Sequence, residues 1–429
     1  MRPNEVTECP CSIKAQRRRA KKCLFSFASL HLCVLCINYL LLAVAPTLAK
    51  ADTLKQDFSG NVGLEYRHFF SPPSDPRQQG DNLSVSVEPE YYSEWDNGNQ
   101  SFTFTPFARL DQGDNKRSHV DIRELMWVKA NDDWELHVGV GKVFWGVTEV
   151  VHLVDIINQT DLVEDFYLNA RLGQPMINLV LIKDWGTLSM FVLPGFRDRT
   201  FPGVKGRPRT LPWVDTSQTV YQSPEGKHHV DYAARWSNTW GDWDVGVNYF
   251  KGTSRDPRFT LGTNKGEPVY IPNYDLISEY STDIQATLDA WLLKFEGYHR
   301  SGQGPAYYAA TGGFEYSFYG VFESNMDVGL VVEYMYDGRG KRAPTPFQND
   351  YFIGTRLTLN DAQSSELLAG FIRDAGYNRY YFSLEASRRI GDNWKLSVDA
   401  LSFAKTPVYD PGYSFRNDNY LQLKLQYYF

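Results

Sequence analysis

The sequence predicts an all-β fold: a transmembrane, antiparallel, up-and-down β-barrel of about eighteen strands, with sixteen as the alternative. Three observations carry that expectation. Short segments alternate apolar and polar residues at period two along the chain, as strands with one greasy and one wet face do. The connections between them alternate, in order, between a tight turn and a longer loop. Beyond residue 51 no apolar run approaches the ~20 residues of a membrane-spanning helix, so any spanning has to be done by strands.

Residues 1–51 stand outside this pattern. Arg17, Arg18, Arg19, Lys21 and Lys22 form a basic block, and an apolar run follows from Cys23 to Leu48. Ala49-Lys50-Ala51 places small residues at the two positions a signal peptidase reads. Together these predict a secretory signal peptide over residues 1–51, leaving 52–429 as a single barrel domain. The alternative is a membrane anchor, since the run is long enough to span. The leader exceeds the usual ~15–30 residues, which points to a start downstream of Met1. A lipoprotein cysteine is disfavoured, because Cys33 and Cys36 lack small residues before them.

All five cysteines lie in this leader, so the rest of the chain has no disulfide to lean on. The leader also holds eight of the 44 Lys and Arg and two of the 51 Asp and Glu, leaving 36 against 49 and a formal charge of −13. That acidic excess excludes nucleic acid as a natural partner.

The strands follow in order. Val62, Leu64 and Tyr66 alternate with Glu65 and Arg67; Leu83, Val85 and Val87 alternate with Ser84, Ser86 and Glu88. Phe102, Phe104, Ala108 and Leu110 form the next apolar row. Val120, Ile122, Met126 and Val128 form another, although Glu124 falls on that row and breaks it. Trp134, Leu136, Val138 and Val140 follow, and Gly139 and Gly141 beside Lys142 suggest a bulge there. Further strands begin near Gln174, Gly186, His228, Asp242, Leu276, Trp291, Ala306, Asn325, Asn349, Ser364, Asn378 and Asn393. The segment Gln174–Lys183 is apolar on both faces, as a strand buried on both sides would be. The last strand is the cleanest: Leu421, Leu423, Leu425, Tyr427 and Phe429 oppose Gln422, Lys424 and Gln426.

Tight turns are expected at Asp96–Gly98, Asn131–Asp133, Asp184–Trp185, Trp240–Gly241, Asp289–Ala290, Glu323–Ser324, Asp361–Gln363 and Gly391–Asp392. Most carry the Asn, Asp or Gly that hairpin turns demand. The other connections run long, above all 146–173, 195–227 and 252–275, except for three short members at Gln112–Arg117, Gly302–Pro305 and Asp374–Tyr377. Short turns on one side and long loops on the other is the asymmetry of a membrane barrel, and an even strand count leaves both termini on the short-turn side.

An alternating strand that closes the chain on an aromatic, Phe429, resembles the C-terminal signature of Gram-negative outer-membrane β-barrels of the porin-like type. The resemblance covers residues 52–429 as architecture, and only the Phe429 strand carries a specific motif. It implies the cell outer membrane as location, short turns facing the periplasm and long loops facing outward. It also implies passage of small polar or charged solutes, contact with outer-membrane lipids and lipopolysaccharide, and recognition of Phe429 by barrel-assembly machinery. Assembly as a homo-oligomer is common in that group, though no residue here specifies an interface.

If apolar rows face lipid, the polar rows line a lumen. They supply Arg109, Asp121, Arg123, Arg235, Lys294, Glu296, Arg300 and Arg356 as pore-lining candidates, alongside Glu65, Glu333, Glu385, Asp399 and Lys424. So many charges of both signs imply water, since burying them dry is far too costly. The competing arrangement is a lumen filled by mutually paired side chains; at this width a channel or a loop plug is required.

The stretch 146–173 has an apolar centre (Val150, Val151, Leu153, Val154, Ile156, Ile157) ringed by Glu149, Asp155, Asp161, Glu164 and Asp165. So apolar a loop is expected to fold into the barrel and narrow it, against the alternative of a surface loop packed on its neighbours. The 195–227 loop is basic, with Arg197, Arg199, Lys205, Arg207 and Arg209. It would face the acidic loop across a transverse field, bind lipopolysaccharide phosphates, or lie solvated. No catalytic, cofactor or metal motif appears: seven His follow the leader, and none falls in a metalloprotease or nucleophile-elbow pattern. The expected function is a porin-like passive channel. An export or assembly channel for a polymer or lipid is the alternative, and an outer-membrane hydrolase a weaker one.

Overall fold

The computed structural model describes residues 54–166 and 168–429; the expected signal peptide lies outside the described residues. The strands run β1 (Lys55–Phe69), β2 (Asn82–Trp95), β3 (Gln100–Asp111), β4 (His119–Asn131), β5 (Trp134–Gly141), β6 (Gln174–Lys183) and β7 (Gly186–Pro194). After a two-residue β8 (Val220–Tyr221) come β9 (Val230–Trp240), β10 (Trp243–Thr253), β11 (Arg258–Asn264), β12 (Glu267–Tyr274) and β13 (Leu276–Leu288). The remainder are β14 (Trp291–Ser301), β15 (Tyr307–Phe318), β16 (Asp327–Asp337), β17 (Asn349–Thr358), β18 (Glu366–Asp374), β19 (Tyr380–Ile390), β20 (Trp394–Ala404) and β21 (Tyr420–Tyr428).

Eighteen of these, all but β8, β11 and β12, form one antiparallel sheet in which each strand pairs with the next. The sheet closes on itself through β1 and β21: Leu64 lies opposite Leu425 and Tyr66 opposite Leu423. Gly60 and Phe429 exchange both backbone hydrogen bonds, at 3.2 and 3.1 Å. The terminal strand therefore pairs with the segment around Phe58–His68, as its pattern predicts. Three connections at the long-loop end, 112–118, 302–306 and 375–379, are short as well, and all eight at the end that holds both termini span eight residues or fewer. Two of these eight, 319–326 and 359–365, are longer than the tight turns expected there.

The two rows of each strand resolve into an outside and an inside. Leu64 is 47% exposed and Val85 46%, whereas Glu65 is 4% exposed and Arg67 6%. A soluble sandwich would bury the apolar row; this barrel buries the charged one. An apolar belt around a polar interior is what a bilayer demands of a closed sheet.

One strand departs from its expected facing. Thr105 pairs with Glu124 but Pro106 pairs with Ile122, so Arg123 is an extra residue on β4. Past this bulge the alternation inverts. Met126, expected on the lipid side with Val120 and Ile122, is instead buried at 5% exposure in an interior apolar cluster, and Val128 packs against it. Glu124, the residue that broke the pattern, marked the place. The bulge suspected near Gly139 and Gly141 is absent, for β4 and β5 pair without a break from Leu125–Val140 to Asn131–Trp134.

The connection after β10 is also more ordered than expected. β11 and β12 form a hairpin through Lys265 (φ 51°) and Gly266 (φ 84°), and β8 adds a short parallel edge to β12. Both central turn residues take positive φ, the geometry a two-residue hairpin turn favours.

Candidate functional site

The 142–173 connection between β5 and β6 turns inward, and its own sequence explains why. Val154 and Ile157 are completely buried, and with Ile156 and Trp145 they pack against Met126, Met176, Phe191, Leu193, Phe250 and Ile277 of the wall. Met176 is one reason the β6 segment reads apolar on both faces: its inner side meets this loop, not water. Asn158 closes the base, accepting from the Val143 N–H at 2.8 Å and donating to the Gly141 and Leu172 carbonyls at 2.9 and 2.8 Å.

Two strand carboxylates hold the loop's first turn by its backbone. Glu296 on β14 accepts from the N–H groups of Val147 (2.7 Å), Thr148 (2.9 Å) and Val154 (3.2 Å), and from the Thr148 hydroxyl (2.8 Å). Glu333 on β16 accepts from the N–H groups of Glu149 and Val150 at 2.6 and 3.0 Å. Such charge-assisted bonds satisfy amides that would otherwise be stranded away from water. Guanidinium groups do the converse for the middle of the loop. Arg255, just past β10, donates to the Ile157 carbonyl at 2.9 and 3.1 Å while paired with Asp231 at 2.6 Å.

The loop's acidic residues are each placed. Glu149 meets Arg356 at 2.7 Å and Lys294 at 3.5 Å. Asp155 pairs with Arg171 of its own loop at 2.8 Å. Asp161 pairs with Arg123 at 2.7 Å, and Glu164 is gripped by Arg109 through Nε and Nη2 at 2.8 and 2.7 Å. Asp165 accepts from the Asn169 N–H at 2.9 Å. Of the remaining wall candidates, Arg235 forms a forked pair with Asp283, and Arg300 pairs with Glu279 at 2.6 Å and Asp256 at 3.1 Å.

The basic loop is engaged too. Asp121 binds Arg197 at 2.6 Å and Arg123 at 3.0 Å, and Asp256 binds Arg199 at 2.7 Å. Farther along, Arg207 and Arg209 reach the loops after β1 and β20: Arg207 pairs with Asp418 and Arg209 with Asp75, both at 2.7 Å. Arg207 also lies 4.1 Å over the Phe69 ring, and its side chain is fully covered. Lys205 alone of this group is exposed. The loop is thus a strap fastened across the long-loop end of the barrel.

Burial pushes the Asp418 carboxyl up to about 6, against the opposing pull of Arg207 and Arg209. A carboxyl whose value rises on docking favours docking most below its free value, and loses that contribution as pH climbs through about 6. Strap amides around Arg207 should therefore exchange more slowly at pH 5 than at pH 7.5 after correction for intrinsic rates. Asp418→Asn should flatten that difference, and an unchanged pH dependence would remove Asp418 as its source.

Cavities remain around the loop among the described residues. An outer one of about 220 Å³ lies at the long-loop end, between Val150–Ile156, the β14–β16 wall and residues 344–347. Two inner ones, of about 310 and 350 Å³, lie on the side formed by β1–β4 and β19–β21. Glu65, Glu88, Glu385, Asp399, Arg67, Lys142 and Lys424 face them, so Lys424 borders open space as its row predicts.

Several residues that organise the site escaped the sequence reading. Arg255 carries no local signal, and Arg117, which donates to Glu65 at 2.7 Å and to the Val163 carbonyl at 2.8 Å, sits in a short connection that looked unremarkable. Arg171 had a signal: it is the lone Lys or Arg between Lys142 and Gly173.

No protein-family model matches the chain, and no characterised protein matches it by sequence. Solved structures do match by shape. Pseudomonas aeruginosa OccK8 (OprE) aligns with a TM-score of 0.54 at 10% identity, over 87% of this chain and 98% of that one. A loop-deletion mutant of OmpT, an outer membrane protein of Vibrio cholerae, aligns at 0.45 and 10% identity over 88% of this chain and all of that one. A mutant of the Rh. blastica porin aligns at 0.44 and 10% identity, over 87% and 100%. At such identities the likeness concerns fold alone, and the first of the three carries it. The chain has the fold of the porin-like outer-membrane β-barrels.

Proposed function

We propose that the protein is a passive channel for small polar or charged solutes across the outer membrane of a Gram-negative cell. The observation that carries this reading is the incomplete filling of the lumen. Loop 142–173 reaches several faces of the wall, from the Met126–Ile277 cluster to Phe166 beside Phe403 and Phe415, and cavities lined by charges of both signs persist between loop and wall. Eighteen strands enclose more space than side chains can fill, and an inward loop narrows such a lumen. The apolar belt supports a membrane location, and Phe429, exposed beside Phe58 at the short-turn end, suits recognition by assembly machinery. Because Arg207 and Arg209 are already paired, they offer little to lipopolysaccharide phosphates.

Conductance in a planar bilayer tests the proposal. The purified chain should give stable ion-conducting steps, and replacing residues 147–173 by a short Gly-Ser linker should raise the step size severalfold. Silence from both proteins, each verified as folded, would defeat the channel reading.

A further inference from the structure

The outer and inner cavities meet at one short turn of the inward loop. Of the residues that line them, Asn169 and Arg171 border both the 220 Å³ outer cavity and the 350 Å³ inner one, and Asn169 borders the other inner cavity as well. The turn is held from within. Leu168 takes a left-handed conformation (φ 68°), and the Asn169 N–H donates to Asp165 at 2.9 Å. Arg171 donates to the Leu168 carbonyl and, at 3.0 Å, to the Thr160 hydroxyl.

The charges at this crossing are unequally exposed. In the Arg171–Asp155 pair the Asp155 side chain is fully covered, whereas Arg171 keeps 13% of its surface open. Of the other charges along the loop, Glu149, Asp161 and Glu164 each face a cation on the wall, and Asp165, which accepts from the Asn169 N–H, borders an inner cavity but not the outer one. The open charge bordering both chambers is therefore a guanidinium.

We propose that the Leu168–Arg171 turn is the partition a solute crosses between the outer and inner chambers, and that Arg171 sets the charge preference there, in favour of anions. The inference rests on the channel reading for its biological sense, but its test requires no conductance. Residues 52–429 contain no cysteine, so Asn169→Cys in the full chain places a lone thiol in the barrel. Its rates of modification by an anionic methanethiosulfonate (sulfonatoethyl) and a cationic one (trimethylammonioethyl) are read by mass spectrometry on folded protein in detergent.

The thiol should react with both reagents. Adding Arg171→Gln should lower the anionic-to-cationic rate ratio about three- to tenfold, the effect of one nearby unit charge in partly screened surroundings. Adding Arg171→Lys, which keeps the charge but not the forked hydrogen bonding, should preserve the ratio. A thiol inert to both reagents would overturn the partition. A ratio unmoved by Gln, or moved equally by Lys, would overturn the role of Arg171. A reactive, charge-sensitive thiol in a protein that never conducts would instead defeat the channel reading and leave this geometry standing.

Discussion

Replacing Glu296 with alanine is expected to unseat the inward loop. The carboxylate accepts four hydrogen bonds, from three consecutive or nearby amides and one hydroxyl, at 2.7 to 3.2 Å. Each donor left unpaired away from bulk water costs ~1–3 kcal/mol. Water admitted by the smaller side chain recovers part of that, so a net loss of roughly 3–5 kcal/mol in loop seating is expected. The barrel itself should persist, because its ladder does not depend on this residue. Amides of residues 147–154 should lose protection against hydrogen exchange by at least a hundredfold, a factor that ~2.7 kcal/mol would supply, while those of β14 keep theirs. Glu296→Gln retains one acceptor oxygen and should show a smaller loss. Undiminished protection in the alanine variant would mean that the apolar contacts of Val154, Ile156 and Ile157 seat the loop without the carboxylate.

The second large effect concerns the outer face. Leu64→Arg puts a charge into the apolar belt between Val85 and Leu425, its neighbours on β2 and β21. An arginine facing lipid costs about 2–4 kcal/mol near the bilayer midplane. Reversible urea unfolding in lipid vesicles should register that loss, and folding into thicker bilayers should suffer more than into thin ones. In detergent, where the head can reach water more easily, the penalty should shrink. Equal stability of Leu64→Arg and the parent in lipid would place this face against protein or water, and would contradict the barrel's orientation.

The strands were legible because lipid outside and water inside impose opposite demands on alternate residues. Starts expected near Gln174, Gly186, Leu276, Trp291 and Asn349 coincide with the observed ones. Alternation fails where the backbone carries an extra residue. Arg123 on β4 shifts everything after it by one, which no local count of apolar residues reveals until Glu124 is taken as a warning. The β11–β12 hairpin was missed for a different reason: its strands lie within a connection, outside the barrel, where facing has no lipid to enforce it.

Pairing inside the lumen is a matter of distance in sequence. Arg356 reaches Glu149 across 207 positions and Glu296 reaches Val147 across 149. Those acids and cations were visible as members of polar rows, but nothing along the chain says which strand stands beside the loop. The basic loop shows the same limit. Its arginines suggested a free electropositive surface, and the fold instead spends Arg207 on Asp418 and Arg209 on Asp75.

Sequence by itself determined the barrel, its strand count to within two, its even parity and the closing of β21 on β1, because period-two burial and turn chemistry are local and repeat along the chain. Tertiary structure alone decided which walls the inward loop meets, which carboxylates hold it, and that Asn169 and Arg171 stand where two chambers meet. Those outcomes depend on closure of the sheet, which brings residues more than a hundred positions apart within hydrogen-bonding reach and leaves open whatever volume the loop does not fill.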